Sequence, residues 1–272
     1  MFPEPPSTDA TSATWRDWFI QSAARTPDIP WSCASRITPA ERTAITRSIQ
    51  EFQLGESSEG KNFIAVGEKY SKQHDPEYLP TLRLFIAEEQ RHARDLGRFM
   101  DLEGIPRSKH TLGDEIFRRL RKGGGLERSI RVLIVAEVIA KVYYRALWAS
   151  TSSPILRALC ERILDDEEAH VRFQAGRIAR LQSKRSPELR GFAASLHDAL
   201  FNSACMIVWV NHAKVFKSAG FTLKSFYRAA WAEWSRVSRM IETVPQAPAS
   251  ARPAALPLHT QWSENPVHEL LR

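Results

Sequence analysis

Two tetrapeptides in the 272-residue chain have the same chemical content, Glu89-Gln90-Arg91-His92 and Glu167-Glu168-Ala169-His170. Each is Glu-x-x-His. On an α-helix, residues three apart share a face, so each pair can offer a carboxylate and an imidazole to one metal ion. Each is preceded by a glutamate at an interval of 30 residues, Glu59 before Glu89 and Glu137 before Glu167. The same arrangement therefore occurs twice, with six prospective ligands: Glu59, Glu89, His92, Glu137, Glu167 and His170. Hard carboxylates with imidazole and no thiolate suit iron or manganese.

The elements that must position these residues read as helices. Thr38-Pro39-Ala40-Glu41 is a capping box with proline at the first helical position, and the helix it opens is expected to run over 38–72. Further helices are expected over 75–104, 126–150 and 153–183, with a short one over 111–123. Ile45, Ile49, Phe52, Glu56, Glu59, Phe63 and Val66 follow at helical spacing on the first. Phe85, Glu89, His92, Leu96 and Phe99 do so on the second, Leu133, Glu137, Ala140 and Tyr144 on the third, and Ile163, Glu167, His170 and Gln174 on the fourth. These are the faces that should be buried. A buried carboxylate is costly unless it is paired or binds metal, yet every face carries at least one. Four such helices packed together define the di-iron or di-manganese site of a four-helix bundle. No segment alternates with period two, so the fold class is all-α.

Two more helices are expected over 186–220 and from Thr222 to before Pro245, and Trp15, Trp18 and Phe19 suggest another ahead of the bundle. The resulting plan is an N-terminal extension (1–37), the bundle (38–183), added helices on the same domain (184–244) and a Pro-rich tail (245–272), with both ends flexible.

The pattern resembles the ferritin-like di-iron carboxylate superfamily. Ala87-Glu88-Glu89-Gln90-Arg91-His92 looks like the first Glu-Glu-x-Arg-His segment of the acyl-carrier-protein desaturases, and Asp166-Glu167-Glu168-Ala169-His170 like the Asp-Glu-x-x-His of several oxygenases. The resemblance covers about residues 38–183. It implies two carboxylate-bridged iron ions, or a Mn/Fe pair, with Glu59, Glu89 and His92 mainly on one side and Glu137, Glu167 and His170 mainly on the other. The position where arylamine N-oxygenases carry an extra histidine holds Ile163. Three scattered cysteines cannot supply a rubrerythrin's second iron domain, and the added helices depart from a storage ferritin.

Around the ligands, Asp166 is expected to pair with His92 and Glu88 with His170, because a metal-bound histidine usually donates its second N–H to a carboxylate. Glu56, one turn before Glu59, is an alternate ligand, a proton carrier or a pocket residue. Tyr144 is near enough for a radical or hydrogen-bonding role. Lys141 could neutralise a carboxylate or contact substrate, and reads first as an exposed lysine with a buried stem. His197 and His212 read as structural.

Composition bounds the rest. Cys33, Cys160 and Cys205 include no C-x-x-C pair and do not form a disulfide framework. No continuous apolar run reaches the roughly 20 residues that span a bilayer, and the N-terminus lacks a secretory pattern, so a cytoplasmic location is expected. The net charge of +7 is concentrated in 107–131, where eight basic residues face three acids. That segment is the candidate for an acidic carrier protein or RNA. The activity expected is oxidation of an organic substrate by O2, with electrons from a separate donor; a homodimer is one arrangement considered. Alternatives are a ferroxidase or peroxide-scavenging relative, and a basic binding module.

Overall fold

The first bundle helix begins where a capping box closes. Glu41 N donates to Thr38 Oγ1 at 3.2 Å, and Thr38 N donates to the Glu41 carboxylate at 2.6 Å. The computed structural model describes residues 4–24, 28–34, 36–57, 60–111, 119–120 and 124–243. Its helices are α1 (Ser12–Ala23), α2 (Pro39–Ser57), α3 (Lys61–His74), α4 (Tyr78–Glu103), α5 (Leu126–Ala149), α6 (Pro154–Gln182), α7 (Pro187–Ser218) and α8 (Leu223–Thr243). There is no strand among the described residues. Ser153 and Ser186 cap α6 and α7 through their hydroxyls, each followed by proline at the first helical position.

One expectation is corrected. The helix anticipated over 38–72 is two helices, α2 and α3, with Gly60 between them at φ +148°. A non-glycine residue would be strained there, so the chain turns at that point instead of carrying one helical face through. The expected short helix over 111–123 and the tail over 245–272 fall largely or wholly outside the described residues.

The bundle is formed by α2/α3, α4, α5 and α6, with α5 packed along α6, α4 along α2 and α3, and α4 touching α6. Its apolar interior includes Ile45, Phe85, Leu96, Val138 and Ile163. The N-terminal helix α1 lies on α4 and inserts Trp15 and Phe19 into this core. Just before it, the backbone of Thr8 passes so close to Gly176 that a Cβ there would sit 2.0 Å from the Thr8 carbonyl oxygen. Only glycine fits that crossing. The added helices cover the other side: α7 packs on α2 and α5, and α8 on α5 and α6.

The apolar content of α7 also departs from expectation. No uninterrupted apolar run is present, yet α7 is long and apolar enough to cross a membrane by length and composition, and 28% of its most apolar window is buried.

Candidate metal centre

Four helices each bring an acid to one place in the core. Glu56 comes from the last turn of α2, Glu89 and His92 from α4, Glu137 from α5, and Glu167 and His170 from α6. All six are buried, Glu167 and His170 completely. Their donor atoms form two groups, each within 4.8 Å: Glu56, Glu89, His92 and Glu167, and Glu89, Glu137, Glu167 and His170. Glu89 and Glu167 belong to both. Glu167 presents one oxygen 3.8 Å from His92 Nδ1 and the other 3.6 Å from His170 Nδ1. The two imidazole rings lie 5.8 Å apart.

The carboxylate that α2 brings to the first group is Glu56. Glu59, chosen from the 30-residue repeat, lies outside the described residues. Only a helix unbroken from Glu56 past Phe63 would carry one face through Glu59, and the chain turns at Gly60 instead.

Both histidines are held in the same way. His92 Nε2 is 2.9 Å from Asp166 Oδ2, and His170 Nε2 is 3.0 Å from Glu88 Oε2. Each bond crosses between α4 and α6. A carboxylate accepts only, so each Nε2 carries a proton, and each Nδ1 faces the interior, where a metal ion would take the place of a second proton. His92 Nδ1 and both Glu167 oxygens are buried with no hydrogen-bond partner, while His170 Nδ1 and Glu89 Oε1 lie 2.7 Å apart and meet only each other at that range. Such an atom typically costs about 1–3 kcal/mol when nothing satisfies it. Three of them converge with the His170–Glu89 pair on one spot, and the chemistry of these five atoms fits two hard cations shared between carboxylates.

The electrostatics agree. Burial pushes the Glu89 carboxyl well above its ordinary range; His170 counters, while the Glu56 and Glu167 charges add to the rise. Burial likewise raises Glu137, reinforced by Glu167 and Glu89. Glu167 sits below its ordinary value: burial opposes this, and its Glu137 and His170 neighbours outweigh it. Burial disfavours a charged His92, yet Asp166 and Glu56 raise its pKa to about 10. Crowded acids that retain protons and imidazoles that attract them mark a cavity short of positive charge, which cations supply as the protons leave.

Two participants were not anticipated from sequence. Gln174 Nε2 donates to Glu137 Oε1 at 2.9 Å. It sits one turn beyond His170, on the face already read as buried. Arg91 Nη2 donates to Asp166 Oδ2 at 2.7 Å, anchoring the carboxylate that orients His92. Its signal was its place inside the Glu-x-x-His motif.

Tyr144 on α5 donates its hydroxyl to Glu56 Oε1 at 2.5 Å. Beside it, Tyr143 stacks face to face on Phe52, with ring centroids 3.5 Å apart. Phe85 packs edge-on against His170, and Phe19 lies on the same side.

Lys141 does not have the exposed ammonium expected first; it takes the other expected role and neutralises carboxylates. It is buried, with Nζ 2.7 Å from Glu168 Oε2 and 3.2 Å from Glu233 Oε2, inside a cluster that Arg236 and Arg172 complete. Glu168 faces this cluster rather than the ligands, and despite the cost of burial its basic neighbours lower its pKa to about 2. His197 donates from Nε2 to the Arg131 carbonyl at 2.7 Å, and His212 meets Ser48 Oγ at 2.8 Å, so both are bonded within the core. In the basic segment, Arg107 pairs with Asp101, Arg128 donates to the Leu120 carbonyl, and Arg131 pairs with Glu127. Arg118, Arg121 and Lys122 lie outside the described residues.

The all-α bundle and the two clustered Glu-x-x-His motifs match a ferritin-like di-iron carboxylate site. The site thus has the build of a redox-active di-iron metalloenzyme. No family model, no curated protein and no solved structure matches the chain.

Proposed function

We propose that this protein is a non-haem di-iron oxygenase or oxidase that uses O2 to hydroxylate, desaturate, N-oxidise or cleave an organic substrate. The observation that carries the reading is the pair of carboxylates, Glu89 and Glu167, common to two groups of buried donor atoms. Two iron ions bound there supply the electrons that reduce dioxygen.

The chain's own residues do the rest. Asp166 and Glu88 keep a proton on each Nε2 and thus keep both Nδ1 atoms turned inward, where they would ligate the irons. Tyr144 holds a proton against Glu56 Oε1. Phe19 and Phe85 exclude water on the His170 side, while Phe52 and Tyr143 form an aromatic wall next to Tyr144. The added helix α7 backs that wall, with His212 and Phe216 against Tyr143. Aromatic walls and extra covering helices suit an organic substrate better than transit of iron. Repeated turnover draws electrons from a separate donor protein.

Anaerobic titration with ferrous iron, followed by exposure to oxygen, tests the reading. Two irons per chain are expected, with oxygen consumed and little ferric mineral formed. Fewer than two bound ions would sink it. Mineral growth inside a large assembly would make the protein an iron-storage relative instead.

A further inference from the structure

Helix α7 has two apolar faces. Phe201, Ala204, Cys205, Val208 and Val215 are buried within the protein. On the opposite face, Leu189, Phe192, Leu196, Met206 and Val210 are between 47% and 71% exposed. The small residues Ala199 and Ser203, also exposed, fill the gap between Leu196 and Met206. Together the seven positions follow at intervals of 3, 4, 3, 4, 3 and 4. Their mean of 3.5 is the repeat of a seam between two helices. The seam covers 189–210, about 32 Å of helix. It ends just before His212, whose φ of −117° and ψ of 15° interrupt the helix.

Scattered exposed leucines need no explanation, but a continuous stripe in one register marks an interaction surface. Covering its five large side chains on each of two copies removes on the order of 1,000 Å² from water, the size at which specific interfaces begin. We propose that the seam joins two copies of this chain, α7 against α7, antiparallel about a two-fold axis near residue 201. In that register Phe192 meets Val210 of the second copy, Leu196 meets Met206, and Ala199 meets Ser203. A large side chain faces a smaller one at each end, and small residues at the centre let the backbones approach. The helix dipoles are opposed, and the contact is self-complementary as a two-fold requires. The chain's own segment over 244–272 is a poorer occupant. Its prolines at 245, 248, 253, 257 and 266 leave 258–265 as the longest stretch between them, far short of the seam. The proposal is independent of the metal chemistry.

Size-exclusion chromatography with light scattering on the full chain, at micromolar concentration, tests it. Twice the chain mass of 30.9 kDa is expected. Leu196→Glu with Val210→Glu should weaken association by roughly 100-fold or more, because it buries four charges in the paired seam, with helical circular dichroism and iron stoichiometry unchanged. For register, the double variant F192C/V210C should form an oxidised covalent dimer, while F192C alone should not, because its two copies stand about 27 Å apart along antiparallel helices. A chain ending at Thr243 should still dimerise. A monomeric wild type, a dimer that survives the two glutamates, cross-linking of F192C alone, or dimers that form only after truncation would each overturn the proposal. A monomer that floats with phospholipid vesicles would also overturn it and make the seam a membrane-facing surface.

Discussion

The hydroxyl of Tyr144 donates to Glu56 Oε1 across 2.5 Å, joining the C-terminal part of α5 to the last turn of α2. Burial, followed by the charge of Glu56, raises the Tyr144 pKa well above that of a free phenol, so the tyrosine stays a neutral donor. The bond holds the Glu56 carboxylate beside the other ligands. Glu56→Ala is therefore expected to drop iron stoichiometry clearly below two per chain, whereas Glu59→Ala keeps both ions. Iron assayed after gel filtration decides; the opposite pattern would restore Glu59 as the ligand.

Tyr144→Phe removes the donor without removing the ligand. Both irons should be retained, with the rate of oxygen consumption changed several-fold and the protein destabilised by about 1 kcal/mol for the lost hydrogen bond. Loss of metal in this variant would show that the tyrosine is needed to hold Glu56 in place.

Glu167 serves both groups, so Glu167→Ala should cost both ions and abolish oxygen consumption, while the helical circular dichroism persists. Glu137 belongs to one group, and Glu137→Ala should leave up to one ion. Equal losses in the two variants would contradict the shared role of Glu167.

Asp166→Asn replaces the acceptor on His92 and weakens the Arg91 anchor. Partners of this kind typically contribute about 10–100-fold in metal affinity. The expected result is weaker binding of that order, read by competition with a chelator, with two sites still filled at saturation. Glu88→Gln should act likewise through His170.

His197 and His212 are both neutral in the fold. Burial, with Arg131 beside the first and Arg47 near the second, lowers each pKa to about 4 from an ordinary 6.5. Unfolded chains take up protons on these residues as pH falls through about 6.5, and the folded chain does so only near 4. Stability should therefore fall between those pH values, by up to about 1.4 kcal/mol per pH unit for each histidine, and level off below. Urea denaturation at pH 7, 5.5 and 4.5 should show a shallower decline for the double variant His197→Gln/His212→Gln than for wild type. Identical slopes would mean that the histidines titrate normally in the fold.

The sequence by itself determined the class of fold and most of the site. Periodicity places Glu89 with His92, and Glu167 with His170, on buried faces, because a helix repeats every 3.6 residues and two neighbours one turn apart must point the same way. Caps and prolines mark where α2, α6 and α7 begin, because those signals act within four residues. What the tertiary structure decided are matters of distance across the bundle. That Glu56 joins the ligands depends on a tyrosine 88 residues away that holds its carboxylate. Whether Lys141 is exposed depends on α8, which brings Glu233 and Arg236 over it. That Gln174 and Arg91 belong to the site follows from the approach of α6 to α5 and α4. Spacing along a helix sets a side chain's direction, but only the packing of other helices decides what it meets.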